Sequence, residues 1–220
     1  MKGKILECIE KNRIIVALRK VPTEKVEKTV EALFCGGIRM IEVTFDQSDK
    51  AGTDKTYESI RKIHKCYGES VLTGAGTVMT IEQLNAAAEA GATYILAPNL
   101  NMELVSKSVG MEIPCIPGAF TPSEISAAWE AGAELVKVFP AGNLGPSYLK
   151  ALSGPMGHIP LLAMGGINKD NLKQYLPLSN LAGVGIGSDI ARRDLILKDD
   201  FDGLYQLAKA YTSLLEKNEE

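Results

Sequence analysis

The sequence predicts a TIM-type (β/α)8 barrel in a single domain, residues 1–220. Three features carry this: short β-branched runs alternating with amphipathic stretches, an internal repeat holding helix and strand in fixed register, and a length that suits one such unit.

The strand-like runs are residues 14–18, 40–45, 70–72, 94–97, 114–116, 135–139, 160–163 and 181–186, which makes eight. Helical patterns separate them, for example over 24–33, 81–90, 123–131, 169–176 and 205–215. Such alternation implies parallel strands joined by crossover helices, and eight units in about 200 residues suit a closed barrel better than an open sheet. Thr80 and Thr121 stand three residues before Gln83 and Glu124, the capping-box spacing, and Pro122 occupies a first helical position. Residues 1–12 precede the first strand and are expected to form a helix that closes the bottom of the barrel.

Segment 80–98 lines up with segment 121–139, and a weaker copy covers 32–44. In each, a helix ends at a glycine suited to a left-handed C′ position, Gly91, Gly132 or Gly37. Five residues beyond these glycines stand Leu96, Lys137 and Glu42, which therefore occupy equivalent places on the fourth, sixth and second strands. Alternate strands contribute to one interior layer of a barrel, so Glu42 and Lys137 are predicted to face each other in an otherwise apolar interior.

The composition, 45% hydrophobic and 23% charged, is that of an ordinary globular chain, and the net charge of −3 is spread evenly. No basic face for nucleic acid or an anionic membrane surface is present, so any anionic ligand must meet a local site. No apolar run approaches the roughly 20 residues a membrane span needs, and the expectation is a cytoplasmic protein. Cys8, Cys35, Cys66 and Cys115 form no CxxC pair and are expected to be buried, reduced thiols. With only His64 and His158 beside them, no metal site is expected.

Lys137 lies mid-strand among apolar residues. Burial disfavours an ammonium ion and lowers a lysine pKa, the shift that turns lysine into a nucleophile near neutral pH. Glu42 is the matching acid or base, with an ion-pair partner as its compatible structural role. Gly165-Gly166 and Gly187-Ser188 follow the seventh and eighth strands, where barrels commonly bind phosphate through converging backbone N–H groups. Gly74-Ala75-Gly76-Thr77 lacks the third glycine and downstream acid of a dinucleotide fingerprint, and reads as a βα-loop able to hold a carboxylate. Arg19, ending the first strand, offers a fork for an anion.

Taken in order, Arg19, Ile41-Glu-Val-Thr44, Gly74-Ala-Gly-Thr-Val78, Ala97-Pro98, Ile116-Pro-Gly118, Val136-Lys-Val-Phe-Pro140, Gly165-Gly-Ile167 and Gly187-Ser188 resemble the bacterial 2-keto-3-deoxy-6-phosphogluconate and 4-hydroxy-2-oxoglutarate aldolases over about residues 12–212. The resemblance implies a trimeric, metal-free barrel with no cofactor beyond a covalent lysine imine. Lys137 would form that imine and Glu42 would shuttle protons. Thr77, Pro98 and Phe139 would line a pyruvate pocket, with Arg19 and Thr44 as further substrate contacts. Gly165, Gly166, Gly187 and Ser188 would hold the phosphate of the aldehyde half. Small-molecule keto acids and phosphorylated aldehydes are thus the expected partners, with no nucleic acid or membrane.

Two positions depart from the family pattern. Many members carry an arginine shortly after Glu-Val-Thr where this chain reads Phe45-Asp46-Gln47, a reversal of charge. Met164 stands where a threonine often precedes the glycine pair, which removes a hydroxyl near the acceptor hydroxyls. Residues 145–152 resemble the related 2-keto-3-deoxy-6-phosphogalactonate aldolases about as well. These positions leave the sugar epimer open: the leading reading is cleavage of the gluconate epimer to pyruvate and glyceraldehyde 3-phosphate, with 4-hydroxy-2-oxoglutarate as a further substrate and the galactonate epimer as alternative. A phosphate-binding barrel epimerase or isomerase, or a non-catalytic sugar-phosphate binder, would share the glycine loops but would not need Lys137 and Glu42.

Overall fold

The computed structural model describes residues 3–216 and contains one parallel sheet. Its strands are β1 (Ile14–Leu18), β2 (Met40–Thr44), β3 (Leu72–Gly76), β4 (Ile95–Leu96), β5 (Cys115–Ile116), β6 (Gly118–Ala119), β7 (Val136–Val138), β8 (Leu161–Met164) and β9 (Leu181–Ile186). They pair in the order β5-β4-β3-β2-β1-β9-β8-β7-β6. The two end strands are halves of one stave interrupted at Pro117, which has no N–H to place in the ladder but accepts a 2.9 Å hydrogen bond from the Lys137 N–H through its carbonyl. With that joint counted, eight staves close into a TIM-like α/β barrel.

Around it run α1 (Lys4–Asn12), α2 (Val26–Cys35), α3 (Gly52–Tyr67), α4 (Ile81–Glu89), α5 (Met102–Gly110), α6 (Pro122–Glu130), α7 (Ala141–Met156), α8 (Leu172–Tyr175), α9 (Arg193–Leu197) and α10 (Phe201–Glu216). Gly37, Gly91 and Gly132 take φ values of 97°, 92° and 98°, so the repeat does mark helix ends. Thr121 and Glu124 form the complete capping box. Thr80 caps α4 through Gln83 N–H, but the Gln83 side chain accepts from Met79 N–H instead of closing the box. No helix of the described residues is long and apolar enough to cross a membrane.

The third strand differs from the sequence reading. Residues 68–70 form a 3-10 turn and β3 spans Leu72–Gly76, so Gly74-Ala75-Gly76 is strand and not loop. Its glycines are there for their neighbours: a β-carbon on Gly74 would collide with the Tyr94 ring, and one on Gly76 with the Glu42 carboxylate. Cysteine placement also departs from expectation. All four thiols are free, but Cys35 and Cys66 are exposed near the ends of α2 and α3, and only Cys115 is buried.

The register orders the interior. Glu42 pairs with Gly74, Ala75 with Ile95, Leu96 with Ile116, Gly118 with Lys137, Lys137 with Leu162, Met164 with Gly185, Ile15 with Gly185 and Ala17 with Glu42. Stepping to every second stave shifts the register by two residues, eight around the barrel, which is the shear of a TIM barrel. Glu42, Leu96, Lys137 and Gly185 consequently form one layer. Above it lie Ala17, Gly76, Gly118 and Met164, and deeper come Met40, Tyr94, Leu135 and Gly183. The upper layer carries little side-chain volume on three of its four staves, so the mouth stays open down to the two charged residues.

The lower end is shut by α1, whose Ile5 and Ile9 join the barrel-interior cluster with Ile15, Met40 and Leu135. Ile9 is wholly buried, whereas its neighbour Glu10 is exposed. Ile9→Ala is expected to lower unfolding free energy by about 2–5 kcal/mol. Glu10→Ala should change it by no more than about 0.5 kcal/mol. Urea unfolding followed by circular dichroism measures both.

Candidate active site

Lys137 and Glu42 are 2% and 1% exposed, the least accessible charged side chains of the described chain. Alternation places them inside: in β7 the flanking Val136 and Val138 turn outward to the helices, and in β2 Ile41 and Val43 do so. The Lys137 ammonium lies 4.8 Å from the centroid of the Phe139 ring, which walls it on one side. Both Glu42 carboxylate oxygens are buried without a hydrogen bond to the protein. The carboxylate occupies the space that the missing β-carbon of Gly76 leaves.

Electrostatics follows from this burial. Desolvation pushes the Lys137 pKa down, Glu42 counteracts it, and Arg19 adds to it. Desolvation pushes Glu42 up, against the pull of Lys137 and Arg19. The pair thus leans toward neutral amine and neutral acid, a nucleophile beside a proton carrier. Burying one of them alone would leave an uncompensated charge.

One step higher, two residues on from each member of the charged layer, come Thr44, Pro98, Phe139 and Gly187. All four were singled out from sequence, and the alternation brings them to the mouth. Thr44 is buried and its hydroxyl donates to the Leu18 carbonyl at 3.2 Å, which ties β2 to β1. Pro98 backs onto Gly118, where a β-carbon would strike the Pro98 backbone. Thr77 follows β3 with φ 57°, and its carbonyl accepts from Gln47 Nε2 at 2.9 Å. Arg19 follows β1, exposed on the same rim, with its Nε beside the Gly187 position.

Gly165 and Gly166 have φ values of 85° and 80°, backbone that a side chain disfavours. A β-carbon on Gly165 would also press on the Phe139 ring, and one on Gly166 on Gly142. They end β8, next to β9 and its Gly187-Ser188 turn, so the two glycine loops are neighbours on the rim. Among the described residues no group of three or more His, Cys, Asp and Glu converges as a metal site would.

Sequence reasoning missed Lys20 and the filling role of Met164. Asp46 is no free negative charge: its Oδ2 lies 3.0 Å from Lys20 Nζ, while Oδ1 accepts from the Ser48 hydroxyl at 2.6 Å and the Ser48 N–H at 3.0 Å. Those hydrogen bonds, the Ser48 hydroxyl first, hold its pKa at about 2. Lys20 stands 26 positions upstream in the β1–α2 loop, so no local pattern announces the pair. Met164 is 3% exposed, and its thioether fills the space above Gly185.

Comparison with known proteins places the chain in one family. The family model described as KDPG and KHG aldolase matches residues 5–207. The chain is 34% identical to the 2-dehydro-3-deoxy-phosphogluconate aldolase of Treponema pallidum, over 93% of this chain and 94% of that one. It is 31% identical to the 2-dehydro-3-deoxy-6-phosphogalactonate aldolase of Escherichia coli, over 92% and 96% respectively. Among solved structures it resembles KDPG aldolase from Legionella pneumophila, captured with pyruvate as a covalent carbinolamine intermediate, with TM-score 0.85, 30% identity and coverage of 96% and 98%.

The coupling of the two buried groups has a sign that can be checked. Glu42→Gln removes the attraction that holds the Lys137 proton, so the Lys137 pKa falls further; Arg19→Gln removes a repulsion, so it rises. Titration of 13Cε-labelled Lys137 by NMR should show these opposite movements. Lys137 adds stability as pH climbs from its lowered folded pKa to its unfolded value. Glu42, raised in the folded state, removes stability as pH rises from its unfolded value toward its folded one.

Proposed function

Because the chain belongs to the KDPG and KHG aldolase family of carbon–carbon lyases, we propose that it reversibly cleaves 2-keto-3-deoxy-6-phosphogluconate to pyruvate and glyceraldehyde 3-phosphate. The observation that carries this reading is the burial of Lys137 and Glu42 in one interior layer beneath an open mouth. Lys137 adds to the C2 ketone, and loss of water gives an iminium that serves as electron sink, so no other cofactor is needed. Glu42 takes the proton of the C4 hydroxyl, the C3–C4 bond breaks, and the aldehyde leaves. Glu42 then returns the proton to C3 of the enamine, and water frees pyruvate and Lys137.

Thr77, Pro98 and Phe139 surround the pyruvyl half, with Thr44 fixing the strand that bears Glu42 and Arg19 offering charge to the substrate carboxylate. Gly165, Gly166, Gly187 and Ser188 receive the phosphate. Reduction with borohydride in saturating pyruvate is expected to add one reduced pyruvyl group, on Lys137, by mass spectrometry; the absence of an adduct would overturn the mechanism. Lys137→Ala should abolish the adduct and lower kcat by at least about 1000-fold, as loss of a covalent nucleophile does elsewhere.

The second reading, cleavage of the galactonate epimer, is favoured by Met164. Its apolar thioether leaves the mouth without a hydroxyl on β8 to address the acceptor hydroxyls. 4-Hydroxy-2-oxoglutarate, split to pyruvate and glyoxylate, is a further candidate. Pyruvate release from all three, coupled to lactate dehydrogenase, ranks them by kcat/KM. A tenfold advantage for the galactonate epimer would transfer the assignment to it.

Free thiols suit a reducing cytoplasm. We further assign a homotrimer of single-domain subunits, as the family resemblance implies. Light scattering reads the mass.

A further inference from the structure

We propose that Tyr94 is a positioning residue that holds Glu42 in place for proton transfer, and that Gly74 is a glycine so that Tyr94 can do so. The inference rests on the reading of Glu42 as the proton shuttle.

Tyr94 lies in the layer next below Glu42 and Lys137 on their staves, among Met40, Leu135 and Gly183, and is wholly buried. Its ring starts on the stave of β4 and crosses beneath the charged layer. The intervening strand β3 presents Gly74, where a β-carbon would collide with three atoms of the ring. The phenol thus passes β3 and reaches β2, where its hydroxyl donates to the Ile41 carbonyl at 2.6 Å.

That carbonyl belongs to the peptide unit whose nitrogen is Glu42's own. Gly74 is also the residue paired with Glu42 across the ladder. The same two glycines of β3 therefore make room for both parts: Gly74 for the ring that grips the strand, Gly76 for the carboxylate that the strand carries. A core-filling role alone would need the ring and not the hydroxyl.

Nothing else grips Glu42 at its working end, since its carboxylate has no hydrogen-bond partner in the protein. Its position is set from below, through the backbone. Desolvation raises the Tyr94 pKa well above its ordinary value, and Glu42 adds to it whenever it carries charge, so the hydroxyl remains a donor.

The readout is exchange of the pyruvate methyl protons with deuterated solvent, in which the Glu42 carboxylate takes a proton from C3 of the Lys137 iminium to give the enamine and returns a deuteron. Small misplacements of a catalytic group cost up to 100-fold. Tyr94→Phe, which keeps the ring, is expected to slow exchange by about 10-fold. The yield of borohydride-trapped pyruvyl adduct on Lys137, an equilibrium quantity, should stay within about two-fold, since imine occupancy does not need Glu42 held so tightly. Exchange at the wild-type rate in Tyr94→Phe would overturn the proposal. So would an equal loss of both readouts, the mark of a general structural defect.

The same substitution in a Glu42→Gln background should have no further effect on exchange, and an undiminished loss there would show that Tyr94 acts elsewhere. Wild-type exchange in Glu42→Gln alone would remove the proton-shuttle reading, and the Tyr94 proposal with it. Loss in Glu42→Gln without loss in Tyr94→Phe would remove only the latter. Should Tyr94→Phe fail to fold, Gly74→Ala, which keeps the hydroxyl but displaces the ring, is expected to give the same split, and wild-type exchange in that variant would overturn the proposal.

Discussion

Everything near the mouth of this barrel depends on the burial of one amine and one carboxyl group together. A lysine or glutamate taken singly out of water would carry a desolvation penalty of several kcal/mol. Placed in one layer, Lys137 and Glu42 each lessen the other's shift while both remain displaced toward neutrality. That balance is what the chemistry of imine formation requires, because the amine must be free to attack and the acid must exchange protons. Arg19 sets a third, milder influence from the rim: its positive charge lowers the Lys137 pKa, toward the free amine, and lowers that of Glu42, against the push of desolvation.

The glycines of the staves are the means by which such a layer is built. A TIM barrel ordinarily fills its interior with branched side chains. Here Gly76 yields its volume to the Glu42 carboxylate, Gly74 to the Tyr94 ring, and Gly185 to Met164. Volume given up on one stave is taken by a longer side chain from its neighbour, so packing stays dense below while the mouth stays open. The glycine pair after β8 serves another need: Gly165 and Gly166 hold a backbone at φ 85° and 80°, close enough to Phe139 and Gly142 that a side chain would press on them.

Much of this was legible in one dimension because it depends on periodicity. The repeat spacing from Gly37, Gly91 and Gly132 to Glu42, Leu96 and Lys137 is a property of the chain alone. A strand's period of two then dictates which residues share its inner face. Thr44, Pro98, Phe139 and Gly187 were named from the family resemblance and the glycine turns, and the alternation of the strands then accounts for their place, each two residues past a member of the charged layer. The capping threonines and the closing helix were readable from local pattern as well.

What the tertiary structure alone decided are the relations between side chains far apart in sequence. Gly74 and Gly76 read as a loop because glycine has low strand propensity, and only the positions of Tyr94 and Glu42 explain why a strand needs them. Asp46 read as a reversal of charge at the rim, but Lys20, from a separate loop, stands beside it and offsets that charge. Cys35 and Cys66 face solvent despite their type, since the helices bearing them turn other faces to the core. The sequence by itself determined the barrel and the interior layer that holds Glu42 and Lys137, because these follow from spacing along the chain. Which neighbour each residue meets, and hence the charge balance at the rim and the support beneath Glu42, was decided only when the staves closed and brought distant segments within a few ångströms.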